Sequence, residues 1–300
     1  MILYREVLMI SKYAIFCKLV EIGNFTRTAD KLGYSQSAVS QAVKSLEQEL
    51  NLTLISRNKG GIVLTSDGER IYPYIAAINN AERALETMQQ EMHSLENSTI
   101  RIGTFTSVSR NLLPQMMKLF KERYPGIQFI LRQGEYTSIR DWLKEGSIDL
   151  GFLNSDIYND LEMEPLYKDD MRAIVPEDHP LAEMEEVSMR QLAKEPFILL
   201  DEGEFSLPMK LFNEYKLEPR IEYHVYDDYS ILAMIRQGLG VSMLYHTVLA
   251  GLSDDGVKEI PVREKPLRTI ALAWNSYDTM PLAAKRFSEF VIRQCRELYK

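Results

Sequence analysis

The alternation of apolar and polar positions is most regular over residues 24–50 of this chain, NFTRTADKLGYSQSAVSQAVKSLEQEL. It predicts two short amphipathic helices joined by a polar turn at residues 34–37. Thr26 is the expected cap of the first helix. Gly33 is its expected end, because glycine readily takes the positive φ of a helix terminus. The apolar positions of this helix are spaced by four and then three residues: Phe25, Ala29 and Leu32.

The second predicted helix divides its side chains between a buried face and an outward face. The buried face comprises Ala38, Val39, Ala42, Val43, Leu46 and Leu50. The outward face carries polar side chains that can reach base edges and phosphates: Ser37, Ser40, Gln41 and Lys44. Any helical hairpin keeps polar residues outside, so an ordinary solvated hairpin remains an alternative at this point.

The residues after the hairpin predict a small β-hairpin. Two short apolar strands, 52–55 and 62–64, flank the basic glycine turn Ser-Arg-Asn-Lys-Gly-Gly at 56–61. Such a hairpin beside a recognition helix is typical of the wing in a winged helix-turn-helix. The candidate DNA-binding residues of hairpin and wing together are Thr26, Arg27, Ser35, Gln36, Ser37, Ser40, Gln41, Lys44, Arg57, Asn58 and Lys59.

Two segments carry a resemblance to a known family. GNFTRTADKLGYSQSAVSQAVKSLEQEL and LISRNKGGIVLTSDGE are similar to the DNA-binding domain of LysR-type transcriptional regulators. The resemblance is dense over residues 11–70 and extends more loosely to the end of the chain. It implies an N-terminal winged helix-turn-helix over 1–65, with its helix-turn-helix motif at about 25–44. Members usually begin near the sequence that starts here at Met9, which leaves either Met1 or Met9 as the start.

Residues 66–96 predict a long linker helix with a dimerisation seam. Ser66 and Glu69 match a capping box at its start. An unbroken alternation of three and four residues then follows, and a long thin helix of this kind needs a partner to be stable. The partner expected is the same helix of a second subunit, although packing on the chain's own downstream domain is an alternative. The seam positions are Ile71, Tyr74, Ile78, Ala81, Leu85, Met88, Met92 and Leu95.

From residue 97 onward the pattern changes to alternating strands and helices. A strand is predicted at 100–105, a helix at 112–124, further strands at 127–133 and 148–153, and a second set of elements from 171 to 244. A strand at 267–274 and a closing helix at 282–299 complete it. The resemblance implies a two-lobed α/β effector domain of the type 2 periplasmic-binding-protein kind, with lobe I at 97–167 and 267–300 and lobe II at 168–266. The predicted fold class is therefore α+β multidomain.

The turns after the predicted strands hold the candidate effector-binding residues. A ligand of a doubly wound sheet lies beyond the carboxyl ends of the strands. The resemblance assigns effector contact to Ser107, whose other role would be a helix cap, and places corresponding positions after the next strand and across the cleft. The residues so predicted are Thr106, Ser107, Tyr136, Thr137, Glu204, Phe205 and Ser206.

Acidic residues crowd the same predicted rim. They are Asp201, Glu202, Glu204, Asp227 and Asp228. The resemblance implies a small anionic effector, whereas these carboxylates favour a cationic, zwitterionic or hydroxylated ligand, or are simply solvated. The sequence leaves both readings open.

Charge is divided unevenly along the chain, which has a formal net charge of −8. Residues 1–65 contain 8 lysines and arginines against 5 acidic residues, so the acidic excess lies entirely in the remainder. The N-terminal block therefore attracts DNA phosphates while the remainder is repelled. No apolar run approaches the length of a membrane span and no signal peptide is evident, so a cytoplasmic location is expected.

The sequence predicts no enzyme, no cofactor and no metal site. It contains no nucleophile elbow, phosphate loop or metal-ligand spacing, and Cys17 and Cys295 do not form a disulfide scaffold. The function predicted is sequence-specific transcriptional regulation in response to a small-molecule effector. The alternative is a constitutive repressor or architectural protein whose C-terminal domain only oligomerises. Expected partners are double-stranded DNA with an inverted-repeat operator, an effector of unknown identity, a homodimer or homotetramer, and RNA polymerase as a further candidate; no membrane is expected.

Overall fold

The computed structural model describes residues 10–58, 61–91, 98–250 and 256–299. The chain divides into two compact units, Met1–Gln89 and Gln90–Lys300, which are called here the N-terminal unit and the C-terminal unit. None of the helices in the described ranges is long and apolar enough to cross a membrane. The predicted seam positions Met92 and Leu95, the wing residue Lys59 and the choice between Met1 and Met9 lie outside the described residues.

The N-terminal unit is a three-helix domain with a two-stranded wing and a long final helix. Its elements are α1 Lys12–Ile22, α2 Phe25–Leu32, α3 Gln36–Leu50, β1 Ile55–Asn58, β2 Gly61–Leu64 and α4 Ser66–Glu91. Apolar side chains from α1, α3 and the first turns of α4 share one core, in which Phe16, Leu46 and Ile75 are almost fully buried. The predicted helix-turn-helix and wing are thereby confirmed as elements.

The helix caps differ from those predicted. Asn24 caps α2, with its Oδ1 accepting a hydrogen bond of 3.0 Å from the Arg27 amide, so the prediction of Thr26 as the cap is wrong. Thr65 caps α4 instead of Ser66, because its Oγ1 accepts a 3.0 Å bond from the Gly68 amide. In each case the cap lies one or two residues before the predicted one, where its side-chain oxygen reaches the free amides of the first turn.

The C-terminal unit is built on a seven-stranded mixed sheet. The strands of this unit, of which all but β7 and β8 belong to that sheet, are β3 Thr99–Thr104, β4 Gln128–Gln133, β5 Leu150–Asn154, β6 Glu162–Pro176, β7 Pro196–Leu200, β8 Arg220–Val225, β9 Ser242–Tyr245, β10 Val257–Pro261 and β11 Leu267–Trp274. The strand order is β10-β6-β11-β5-β3-β4, with β9 also paired to β6, while β7 and β8 form a separate parallel pair. Strand β3 runs parallel to β4 and β5, whereas β11 runs antiparallel to β5 and β6.

Helices pack against these strands. They are α5 Thr106–Asn111, α6 Leu113–Arg123, α7 Tyr136–Lys144, α8 Met189–Leu192, α9 Leu207–Glu214, α10 Asp228–Arg236, α11 His246–Leu249 and α12 Leu282–Leu298. The helix predicted at 112–124 is confirmed as α6, and Pro114 lies in its first turn, where a proline favours the start of a helix. The sequence pattern does not predict the short helix α5 before it. The sequence pattern also does not predict β10, α8 and α11.

The lobes share two strands. Strand β6 pairs with β11 through residues 162–170 and with β9 and β10 through residues 171–176, so the predicted lobe boundary at 167–168 lies inside one continuous strand. The strand predicted at 171–175 is only its second half. Apolar clusters on either side of this pair of strands form the interiors of the two lobes.

Candidate functional site

Helix α3 presents a polar face to solvent. Its apolar side is packed by Val39, Val43 and Leu46, which are at most 2% exposed. The predicted DNA-binding side chains of the other side are exposed, apart from a half-buried Ser40: Ser35, Gln36, Ser37, Gln41 and Lys44. Ser35 has a structural task as well, because its Oγ caps α3 by accepting a 3.2 Å hydrogen bond from the Ala38 amide.

A half-buried glutamate, absent from the sequence predictions, joins α3 to the wing. Glu47 Oε1 accepts hydrogen bonds of 2.8 Å from the Leu54 amide and 3.3 Å from the Ile55 amide. On the other side of the wing, the Ile62 amide donates to the Gly23 carbonyl at 3.1 Å. The wing is therefore held at both strands. Asn58 on it is exposed, as are Thr26 and Arg27 on α2, while the side chain of Arg57 is outside the description.

Helix α4 carries an uncovered apolar stripe. Tyr74 is 70% exposed, Leu85 64% and Ile78 42%, and Ala81 between them is exposed too. By contrast, Ile71 packs against the core of the N-terminal unit, one turn before the buried Ile75. The predicted seam therefore has two parts. Ile71 packs against the N-terminal unit, whereas the later positions, from Tyr74 to Leu85, are exposed. The side chain of Met88 lies outside the description.

The C-terminal unit contains a cavity of about 710 Å³ between its lobes. It lies at the carboxyl ends of β3, β4, β7, β8 and β9, where the first turns of α5, α7 and α10 begin. Of the predicted effector residues, three line it: Thr106, Ser107 and Tyr136. The other four do not contribute to its lining: Thr137, Glu204, Phe205 and Ser206. Thr137 Oγ1 instead accepts a 3.3 Å bond from the Glu204 amide, and Ser206 caps α9.

A buried arginine on the strand shared by the lobes forms the floor of this cavity. Arg268 is only 2% exposed. Toward lobe I it donates from Nη1 to the Tyr136 hydroxyl at 2.8 Å and from Nη2 to Ser107 Oγ at 2.7 Å. Toward lobe II it pairs with Asp169 Oδ2, at 3.0 Å from Nε and 2.6 Å from Nη2. Its guanidinium carbon lies 3.4 Å from the centre of the Tyr245 ring.

Asp169 is as buried as the arginine and is fully engaged. Its Oδ2 accepts a 2.6 Å bond from Thr247 Oγ1, in addition to those from Arg268, and its Oδ1 accepts a 3.2 Å bond from the Thr247 amide. A buried ion pair is stable only when the remaining hydrogen-bonding positions are filled in this way. The pair therefore ties the start of α11 to β6 and β11 below the cavity.

Two further acids of the cavity wall lack such a partner cation. Burial raises the pKa of Glu202 to about 8, against the lowering effect of the Arg268 charge. The carboxylates of Asp228, Asp169 and Asp201 raise it further. Asp228 is 6% exposed, and burial raises its pKa too, although a hydrogen bond with Thr106 opposes this rise.

Sequence reasoning names neither Arg268, Asp169 nor Tyr245 as site residues. A signal for one of them was present, since Arg268 interrupts the otherwise largely apolar strand LRTIALAW. A charged residue inside a strand that both faces bury must find a buried partner. The sequence gives no signal for Asp169 and Tyr245, because their neighbours form no unusual pattern and their role depends only on contact with Arg268.

Comparisons with known proteins cover both units. The chain matches the family model "Bacterial regulatory helix-turn-helix protein, lysR family" over residues 10–69 and the model "LysR substrate binding domain" over residues 93–296. It is 31% identical to the HTH-type transcriptional regulator YvbU of Bacillus subtilis, over 93% of this chain and 96% of that protein. It is 29% identical to the transcriptional dual regulator GltC of the same organism, over 86% and 87%.

Among solved structures, a full-length OxyR variant from Pseudomonas aeruginosa superposes with a TM-score of 0.72. The two chains are 21% identical, and the match covers 96% of this chain and 95% of that one. At this identity the likeness shows the shared fold, with an N-terminal helix-turn-helix and a C-terminal α/β domain.

Proposed function

We infer that this protein binds its effector in the cavity between the lobes and contacts DNA bases through α3, because the chain belongs to the LysR family of bacterial transcriptional regulators. It is a DNA-binding transcriptional regulator with an effector-binding domain, and not an enzyme. Regulators of this family bind DNA and small-molecule effectors and form oligomers. What remains to be proposed is which residues carry these tasks here.

For DNA, we propose that the first turns of α3 enter the major groove and that the wing lies against the flanking backbone or minor groove. The exposure of Gln36, Ser37, Gln41 and Lys44 supports this, as does the excess of basic over acidic residues in 1–65. The proposed domain division is 1–65 for DNA binding, 66–96 for dimerisation and 97–300 for effector binding. The proposed operator is an inverted repeat, and RNA polymerase is a further candidate partner. The proposed location of the protein is the cytoplasm.

For the effector, the observation that carries the proposal is the buried Arg268 at the floor of the cavity. It holds Ser107 and Tyr136 of one lobe and Asp169 of the other. A small molecule above it touches both lobes at once. Such a ligand changes DNA binding only through its different affinity for two arrangements of the lobes or subunits.

The test is to fill the cavity without touching the DNA-binding unit. Thr106→Trp places a large ring among the lining residues, and Lys121→Trp, at an exposed position of α6, is the matched control. We expect the small-molecule fraction of a host-cell extract to change the operator footprint of the unmodified protein and of the control, but not that of Thr106→Trp. All three should bind the operator without extract.

An unchanged response of Thr106→Trp would mean that the effector binds elsewhere. Lack of any response in all three proteins would favour the constitutive alternative, in which the C-terminal unit only assembles subunits.

For assembly, we propose that the exposed stripe of α4 pairs with its counterpart in a second subunit, giving a dimer or a tetramer of two dimers. Leu85→Asp places a charge in the middle of that stripe and should yield monomers in sedimentation velocity, because an unpaired buried carboxylate is costly. Glu86→Lys changes the charge at the adjacent exposed position and should leave the oligomer intact. A dimeric Leu85→Asp protein would place the interface elsewhere.

A further inference from the structure

The cavity is lined by more acidic side chains than its own basic residue can neutralise. Arg268 is the one basic residue among its described lining residues, and its charge is already paired with Asp169. Three of the lining acids serve as local acceptors of backbone amides: Glu135 from Ser138, Asp201 from Gly203 and Asp227 from Ser230. Two remain, Glu202 and Asp228, and the carboxylate of Asp228 lies close enough to Glu202 to raise the pKa of its carboxyl.

These two acids differ from the solvated surface carboxylates. Asp228 is 6% exposed and has only the hydroxyl of Thr106 as a hydrogen-bond partner from a side chain. Glu202 is half-buried, and its carboxylate accepts no hydrogen bond within the described part of the chain, while desolvation raises the pKa of that carboxyl. A buried carboxylate without a counter-charge is strongly disfavoured, so it either takes up a proton or meets a cation.

An independent observation points to a missing ligand at the same place. Tyr245 is 1% exposed and lines the cavity, yet its hydroxyl has no hydrogen-bond partner within the described part of the chain. Buried hydroxyl groups of native proteins are nearly always paired. The arginine does not satisfy this hydroxyl, because its guanidinium contacts the face of the Tyr245 ring. The unpaired hydroxyl therefore marks a hydrogen-bonding position that a bound molecule would fill.

We propose that the effector carries an ammonium or guanidinium group that is held by the carboxylates of Glu202 and Asp228, together with a polar atom that pairs with the hydroxyl of Tyr245. This inference rests on the proposed function, since it names the chemical class of the molecule that the cavity senses. An anionic effector would have to approach the half-buried Glu202 and the buried Asp228 while the arginine of the floor is already neutralised by Asp169.

Proton release is a signature of this arrangement. With a pKa of about 8, Glu202 is mostly protonated in the empty cavity at neutral pH, and the charged groups that face it are Arg268, Asp228, Asp169 and Asp201. Binding of a cation displaces that proton to solvent. The affinity for a cationic ligand should thus weaken about tenfold for each unit that the pH falls below 8, and become independent of pH above it.

A matched set of four probes tests the class of ligand: cadaverine, aminopentanol, pentanediol and glutarate. They share a five-carbon chain and differ in their charged or polar ends. Titration calorimetry on the full-length protein, in buffers of different ionisation enthalpy, should show binding of the two amines with release of a proton. We expect much weaker binding of the diol and of glutarate.

Two variants in the same loop assign the contact. Glu202→Gln keeps the shape of the protonated side chain and should weaken amine binding at least tenfold and abolish proton release. Glu204→Gln removes the same charge two residues away, outside the cavity lining, and should bind the amines as the unmodified protein does. Tyr245→Phe, which removes only the unpaired hydroxyl, should weaken aminopentanol binding while leaving Glu202 in place. Tryptophan fluorescence confirms that each variant is folded.

Several results overturn the proposal. Tighter binding of glutarate than of the amines would do so, as would equal behaviour of the Glu202 and Glu204 variants, or no binding of either amine at millimolar concentration. Glutarate binding that Thr106→Trp abolishes would leave the cavity as the effector site and remove only the cationic assignment. The extract experiment decides the proposed function separately.

Discussion

The outward face of α3 and the cluster around Arg268 are both polar, but they are organised in opposite ways. On α3 the predicted contact residues come from one helix and are mostly exposed to water. The hydrogen-bond partners of Arg268 are 99 to 161 residues away along the chain, and their side chains are buried. The first surface is available to an external partner, whereas the second is already bonded internally. Removing a side chain should therefore cost binding specificity in one region and stability in the other.

The largest effect is expected from breaking the buried pair. Arg268→Met keeps an unbranched side chain of similar length but leaves Asp169 buried without its cation, which we expect to destabilise the C-terminal unit by about 3–5 kcal/mol. Urea denaturation followed by tryptophan fluorescence measures this directly, because both tryptophans, Trp142 and Trp274, lie in that unit.

Two further variants test whether the loss of stability comes from the buried ion pair. Arg263→Met removes an arginine whose partner Glu186 is on the surface, and it should leave the urea midpoint unchanged. Adding Asp169→Leu to Arg268→Met removes the unpaired carboxylate as well and should recover part of the lost stability. If Arg268→Met and Arg263→Met unfold at the same midpoint, the buried cluster does not hold the lobes together.

A smaller and different effect is expected on α3. The Gln41 amide can pair bidentately with adenine, so Gln41→Ala should lose roughly 1–3 kcal/mol of discrimination at one base position per half-site. Stability should hardly change, because the side chain is exposed. Binding to a library of operator variants at fixed salt, together with a urea titration, measures both quantities.

Gln48→Ala is the matched control for this substitution. Gln48 is the same residue type on the same helix and is also exposed, but it lies near the C-terminal end, away from the turns that contact bases. It should change neither specificity nor stability. Equal loss of specificity from both variants would contradict the assignment of Gln41 as a base reader.

The same contrast explains what could be predicted from the sequence. The helices of the N-terminal unit follow from local spacing, such as the burial of Val39, Val43 and Leu46 on one side of α3. Errors there are confined to single residues, since Asn24 and Thr26 are both able to cap a helix and only the backbone geometry chooses between them. The assignments of individual DNA-contacting and effector-contacting residues stay predictions.

The cavity was less predictable for a physical reason. Ser107 and Tyr136 could be placed near a ligand site because each follows a strand. Their contact with Arg268 depends on β11, a strand near the C-terminal end of the chain that pairs with β5 and β6. No local sequence pattern predicts a contact between residues so far apart. Nor does spacing show whether an acid such as Asp228 lies on a solvated rim or in a buried wall.

The two strands that run through both lobes set how the C-terminal unit can move. Strands β6 and β11 remain paired from Glu162 to Asp170, with one break in register beside Ile270, where a bulge increases local twist. A pair of hydrogen-bonded strands of this kind resists sharp bending but can twist slightly about its long axis, which rotates one lobe relative to the other. Displacement under such a rotation grows with distance from the axis. Arg268 lies on this pair of strands and is displaced least by such a twist. A ligand that contacts both lobes at the mouth of the cavity therefore changes their relative orientation more than one that contacts only the floor.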